Sequence, residues 1–150
     1  MTEDILVTVA GLHTMNGDKD PGDKVEVTSA GKYYKKNGKH YIFYDEADEQ
    51  SGTPIRNRIK LGGGIMEVQK KGAMTASMTF EMGRNHRSWY TTPFGSMLTG
   101  IEVTEMKVDE SDKLIDVDVK YILEMNYEHV SDADIHIRVM AKDSGLFRLV

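Results

Sequence analysis

A strict two-residue alternation near the C-terminus constrains the fold more than any other feature of the chain. Odd-numbered positions from Ile115 to Tyr127 are apolar or aromatic, and most of the intervening even-numbered positions are charged or polar. Successive strand side chains point to opposite faces, so this period predicts a long strand with one buried face. A helical period of 3.6 residues would scatter the apolar set around the cylinder. The positions predicted to face the core are Ile115, Val117, Val119, Tyr121, Leu123 and Met125.

The same alternation recurs elsewhere and is punctuated by turn residues. Further half-buried strands are predicted around Ile5 to Val9, Val25 to Val27, Ile55 to Leu61, Met78 to Met82 and Ile135 to Ala141. Asn37-Gly38 between two strand-like runs is typical of a type I′ hairpin turn. Three glycines, Gly62 to Gly64, predict another turn. The apolar set changes face between Val103 and Met106, which predicts a β-bulge near Thr104 or Glu105.

These patterns define the expected fold class. The chain has 150 residues, enough for a single domain spanning residues 1–150. About eight to ten short-linked strands and no amphipathic helix predict an all-β, antiparallel protein. Such a set closes as a barrel or as a sandwich, and the sequence period does not distinguish the two.

Composition excludes several classes of protein. There is no cysteine, which removes disulfides and thiolate metal sites. No apolar run reaches the roughly 18 residues that a membrane-spanning helix needs. The start, Met1 to Ile5, lacks the basic and apolar regions of a secretory signal, so a cytoplasmic location is expected.

Catalytic patterns are weak throughout the chain. The five histidines are dispersed with no ligand spacing between them, which predicts no metal site. Gly62 to Gly64 precede a strand-like run, whereas phosphate-binding loops need a following helix. Ser96 lacks the glycine that a nucleophile elbow requires two residues later. The sequence therefore predicts a protein that is not an enzyme and holds no cofactor.

Charge is distributed unevenly along the chain. Between Arg56 and Arg87 there are seven basic and two acidic residues, although the formal net charge of the whole chain is −5. This basic flank, with Trp89 and Tyr90 beside it, is compatible with a nucleic-acid or polyanion site or with an ordinary polar surface. The net negative charge opposes strong non-specific affinity, so nucleic acid is not the leading expectation. The residues of the basic flank are Arg56, Arg58, Lys60, Arg84 and Arg87.

A set of short segments resembles one known family. The segments are Tyr41 to Glu46, Ile59-Lys60, Lys71-Gly72, Met78 to Phe80 and, as the most specific piece, Tyr90-Thr91-Thr92-Pro93-Phe94-Gly95. In order and spacing they resemble the YwiB-like family of small bacterial proteins, a domain of unknown function, over about residues 25–139. The resemblance implies a calycin-type, lipocalin-like, up-and-down antiparallel β-barrel and implies no reaction. Lys71 stands where an arginine is expected, which weakens a bidentate anion role there.

The leading functional hypothesis follows from the expected barrel. A barrel of this size either fills with side chains or holds one small ligand, here an apolar or amphipathic molecule. Tyrosines would orient the ligand and methionines would form an adaptable wall. The predicted ligand-binding residues are Tyr44, Tyr90, Tyr121, Met66, Met78 and Met125. A polyanion binder and a ligand-free structural or assembly protein stay open as alternatives, and so do the monomeric and dimeric states.

Overall fold

Ten consecutive strands, joined by short connections wherever the structure describes them, make up the fold. The computed structural model describes residues 3–11, 26–48 and 51–142. The strands are β1 (Asp4–Ala10), β2 (Glu26–Lys36), β3 (Lys39–Glu46), β4 (Ile55–Gly62), β5 (Ile65–Lys71), β6 (Thr75–Glu81), β7 (Asn85–Thr92), β8 (Gly95–Glu110), β9 (Leu114–Met125) and β10 (Glu128–Ala141). The described residues contain no helix, and hence none that could span a membrane.

The strands form one closed barrel in which each strand pairs antiparallel with its sequence neighbours. The ring is completed by β1 and β10, which pair from Ile5 opposite Ala141 to Ala10 opposite His136. An up-and-down barrel is therefore confirmed, and closure removes the exposed sheet edges that a sandwich would keep.

The alternation of β9 gives the predicted partition between core and solvent. Positions 115, 117, 119, 121 and 123 are buried, and Asp118 and Lys120 are exposed. The inward set ends at Met125, as predicted, although Met125 is half-buried; Tyr127 lies in the β9–β10 turn, 69% exposed and with a φ of 68°. A positive φ reverses the chain there, so Tyr127 cannot continue the inward set.

Two local features predicted from the sequence are also confirmed. Asn37 and Gly38 have φ values of 54° and 75°, the conformation of a type I′ turn between β2 and β3. The register of β8 against β9 shifts between Val103 and Glu105, which places the β-bulge where the apolar pattern changes face. Val25, part of a predicted strand, lies outside the described residues.

Candidate functional site

The six predicted ligand-binding residues divide into a buried group and a half-buried group. Tyr44, Tyr121, Met66 and Met78 belong to the continuous hydrophobic core. Tyr90 and Met125 are half-buried. Both lie near the barrel end that carries the β3–β4, β5–β6, β7–β8 and β9–β10 connections, here called the loop end. Tyr90 and Met125 are therefore the two of the six whose side chains remain partly accessible to solvent.

The centre of the barrel is packed at the described positions. The rings of Phe80 and Tyr121 meet edge to face with centroids 5.2 Å apart. Ile5, Met66 and Phe80 have no exposed surface at all. Side chains of strands that are not neighbours therefore touch one another across the interior, and this contact contributes to the core.

One row of cross-strand pairs connects the half-buried Tyr90 to the buried Tyr44. Cross-strand pairing runs without interruption through seven strands, with one residue from each of β2 to β8. The residues of this row, here called the inner row, are Gly31, Tyr44, Asn57, Lys70, Ala76, Tyr90 and Met97. Paired residues in neighbouring strands point to the same face, so the members of the row with side chains present them on the inner side. The inner row includes two of the predicted tyrosines, Tyr44 and Tyr90.

A buried polar cluster lies at the middle of this row. Lys70 donates hydrogen bonds to the Glu46 carboxylate and, at 2.8 Å, to Asn57 Oδ1. Asn57 Nδ2 donates to Glu46 Oε1 at 2.8 Å. The Lys70 side chain is 8% exposed and that of Glu46 is 17% exposed. The three side chains satisfy one another, as buried polar groups must, and their opposite charges cancel.

The tyrosines beside this cluster are held as neutral phenols. Burial, with a further contribution from the Glu46 carboxylate, raises the pKa of Tyr44 far above its ordinary value. Burial also raises the pKa of Tyr90. Each ring therefore keeps its O–H as a hydrogen-bond donor at neutral pH.

Two hydroxyls near the loop end of the barrel have no hydrogen-bond partner. Thr99 Oγ1 and Ser131 Oγ are both buried and unpartnered. Thr99 pairs with Met125 across β8 and β9, and Ser131 pairs with Leu123 across β9 and β10. An unsatisfied buried hydroxyl costs free energy that a bound polar group would recover.

Sequence reasoning missed Glu46, Asn57 and Lys70, although the alternation contains a signal for them. Each lies at an alternate position that faces the core. Glu46 continues the buried set of β3 after Ile42 and Tyr44. Asn57 begins the buried set of β4, which includes Ile59 and Leu61, and Lys70 ends that of β5, after Met66 and Val68. Polar residues at inward positions of three consecutive strands mark a site inside a sheet. Only the register brings the three together.

The predicted basic flank is divided between two parts of the barrel. Arg56, Arg58 and Lys60 lie together on the outer side of β4. Arg84 lies in the β6–β7 turn beside Glu81, and Arg87 on β7 approaches Glu124 at 3.5 Å. The structure therefore brings three of the five residues together and pairs the other two with carboxylates elsewhere.

A second hydrogen-bond chain, buried at Tyr33 and His40 and exposed at Glu110, lies toward the opposite end of the barrel. Tyr33 Oη is 2.6 Å from His40 Nδ1, and His40 Nε2 is 2.5 Å from Glu110 Oε2. This chain connects β2 and β3 to β8, which are not neighbours in the sheet. It joins two walls of the barrel through side chains.

A surface recess lies on the outer side of the barrel beside the bulge. It has a volume of about 310 Å³ and is lined by Lys107, Asp118, Lys120 and His136 among others. His136 approaches Asp118 at 2.7 Å and Asp116 at 3.0 Å. Its lining mixes both signs of charge. Among the residues described in the three ranges, no cluster of three potential metal ligands is found.

Comparisons with known proteins identify the kind of domain. A family model described as "Domain of unknown function (DUF1934)" matches residues 7–137. A solved structure, the ywiB protein from Bacillus subtilis, is similar with a TM-score of 0.75 and 20% sequence identity, covering 93% of this chain and 92% of that one. No curated protein matches the chain. These matches confirm the resemblance to YwiB-like proteins and the barrel that it implied.

Proposed function

The chain belongs to the DUF1934 family, a domain of unknown function, and from its geometry we propose that it is a binding protein and not an enzyme. Its ligand is a small amphipathic molecule held at the loop end of the barrel. The polar group of the ligand contacts Lys70, and its apolar part lies along Tyr90, Met97 and Met125.

The observation that carries this proposal is a buried lysine, hydrogen-bonded to Glu46 and Asn57, on the inner side of the barrel. Removing Lys70 and Glu46 from water costs several kcal/mol per ion before their mutual attraction is counted. Apolar side chains of similar volume often give equal or greater stability at such positions. Stability alone therefore does not explain why the cluster is present. A ligand whose polar group contacts Lys70 would explain it.

The free hydrogen-bonding capacity of the cluster indicates the chemistry of the ligand. An ammonium group has three donors, and Lys70 directs two of them to Glu46 and Asn57. The third is available to an acceptor on the ligand. Because Glu46 already neutralises Lys70, an uncharged acceptor such as an alcohol or a carbonyl fits better than a carboxylate, which Glu46 would repel.

The inward-facing side chains around the cluster suit the apolar part of such a molecule. Tyr90, Met97 and Met125 are half-buried on β7, β8 and β9. Methionine is flexible and polarizable and adapts to ligands of different shape. The hydroxyls of Thr99 and Ser131 offer further polar contacts on the same wall.

Fluorescence of the neutral probe N-phenyl-1-naphthylamine tests the proposal. We expect saturable probe binding that 1-decanol displaces better than decanoate does at pH 7. The double variant Glu46→Leu/Lys70→Met removes both charges together, so we expect it to stay folded and to bind the probe. The probe should be displaced by 1-decanol only at higher concentration, because the hydrogen bond from Lys70 to the alcohol is lost.

The control changes the same residue types in an exposed ion pair, with the double variant Glu105→Leu/Lys120→Met. This pair lies 3.4 Å apart on the outer surface. We expect it to bind as the wild type does. Absence of saturable probe binding to the wild type, or displacement by 1-decanol at the same concentration in Glu46→Leu/Lys70→Met as in the wild type, would overturn the proposal and favour a ligand-free structural protein.

A further inference from the structure

The outer face of β2 to β4 combines exposed aromatic rings with basic side chains. Register places Tyr34 opposite Tyr41, which is opposite Lys60, and places Phe43 opposite Arg58. Arg56 follows on the same side of β4. These six residues, with Lys71 of β5 opposite Arg56, are called the aromatic-basic face. They come from four strands and are brought together by the fold of the barrel.

The rings of this face remain accessible to solvent. Tyr34 is 49% exposed and Phe43 is 38% exposed. Their centroids are 6.1 Å apart in an edge-on arrangement, and the Lys60 ammonium lies 5.8 Å from the centre of the Tyr41 ring. Aromatic rings offered to water beside cations are a surface on which planar groups can stack.

The cations of this face are largely uncompensated. Among the described residues, Arg56 and Arg58 form no ion pair, and Lys71, which pairs with Arg56 across β4 and β5, forms none either. Lys60 lies 3.9 Å from Glu67. Asp45, opposite Arg56, is the other carboxylate on this side of β3 to β5. Positive potential is therefore concentrated here, although the whole chain carries −5.

We propose that the aromatic-basic face binds single-stranded nucleic acid. Unpaired bases would stack on Tyr34 and Phe43, and the phosphates would contact Arg56, Arg58 and Lys71. A duplex keeps its base faces stacked internally, so it could use only the cations. This site lies on the outside of the barrel and is independent of the ligand proposed for its interior.

Fluorescence anisotropy with labelled dT12, rU12 and a 12-base-pair duplex at low salt tests this proposal. We expect micromolar binding of the single strands, weaker binding of the duplex, and affinity that falls as salt rises. The comparison of dT12 with rU12 identifies which nucleic acid is preferred.

Variants distinguish the loss of a stacking or charge contact from the loss of folded structure. Tyr34→Ala and Arg58→Gln should each weaken single-strand binding about fivefold or more. Tyr34→Phe keeps the ring and loses only the hydrogen bond from Tyr34 to Glu3, so it should bind as the wild type does. Circular dichroism checks that each variant is folded.

Matched controls come from the other side of the barrel. Tyr127→Ala removes a ring that is 69% exposed, and Arg84→Gln removes a cation whose side chain is 71% exposed. Both should leave binding unchanged. The proposal is overturned if no single strand binds at low salt, if the duplex binds equally well, or if the controls weaken binding as much as Tyr34→Ala and Arg58→Gln do.

Discussion

Asp116 shows how one charged side chain stabilises the outer surface of the barrel. It lies on β9 and accepts hydrogen bonds from His136 and Arg138 on β10, the latter through both carboxylate oxygens at 3.0 and 3.3 Å. Partial burial alone would raise the pKa of Asp116, but these hydrogen bonds and charges outweigh it and hold the pKa below that of an ordinary aspartate. The folded state therefore favours the ionised carboxylate.

Stability should depend on pH through this group in a defined direction. A carboxyl whose pKa is lowered by folding stabilises the protein above its unfolded pKa and loses that contribution as pH falls through its folded pKa. Asp116→Asn should lower the free energy of unfolding by about 1 kcal/mol at pH 7. This effect is smaller than that of a fully buried charged hydrogen bond, because Arg138 is half-exposed and solvent screens the pair.

Urea unfolding of wild type and Asp116→Asn at several pH values measures this difference. It should shrink as the pH falls below about 4. Asp112→Asn, in the exposed β8–β9 turn, is the control and should match the wild type. A difference that stays constant down to pH 2 would show that the carboxylate charge plays no part.

At the scale of the strands, Gly31 determines how closely β2 can approach β3. A Cβ at this position would lie 2.4 Å from the backbone oxygen of Phe43, far inside normal contact. Glycine within a strand often marks such a close approach or a bend of a barrel. Gly31 pairs with Tyr44 in the inner row, so its close approach to β3 also positions Tyr44 relative to β2.

Gly31→Ala should therefore destabilise the protein by about 1 to 3 kcal/mol, since the two strands must separate to admit the methyl group. The neighbouring exposed substitution Ala30→Ser should change stability by less than about 0.5 kcal/mol. Thermal unfolding of the two variants gives the comparison. Equal midpoints for both would mean that the close approach at Gly31 has no energetic consequence.

Strands and turns were predictable where the signal is local. The alternation of β9, the Asn37-Gly38 turn and the β8 bulge are properties of neighbouring residues, and all three are present. Tyr127 continues the apolar period of the sequence into a turn, and its positive φ is not visible in a pattern of hydrophobicity.

At the scale of the whole molecule, closure and the candidate site depend on contacts between distant residues. Barrels and sandwiches use the same alternation, so the period could not predict closure. The family resemblance implied a barrel, and the structure closes it by pairing β1 with β10. The polar cluster needs three strands in a specific register, which no single strand encodes. Tyr44 and Tyr90 were predicted from residue type, and the fold places them in one register row, whereas Lys70, Asn57 and Glu46 required the fold.

The proposed contact surface for a small amphipathic molecule is the inner row at the loop end of the barrel. Titration of isotopically labelled protein with 1-decanol, followed by amide chemical shifts, tests this most directly. We expect saturable shifts concentrated at Asn57, Lys70, Ala76, Tyr90 and Met97, with little change on the outer face of β4. No saturable shifts, or shifts confined to outward-facing residues, would contradict it.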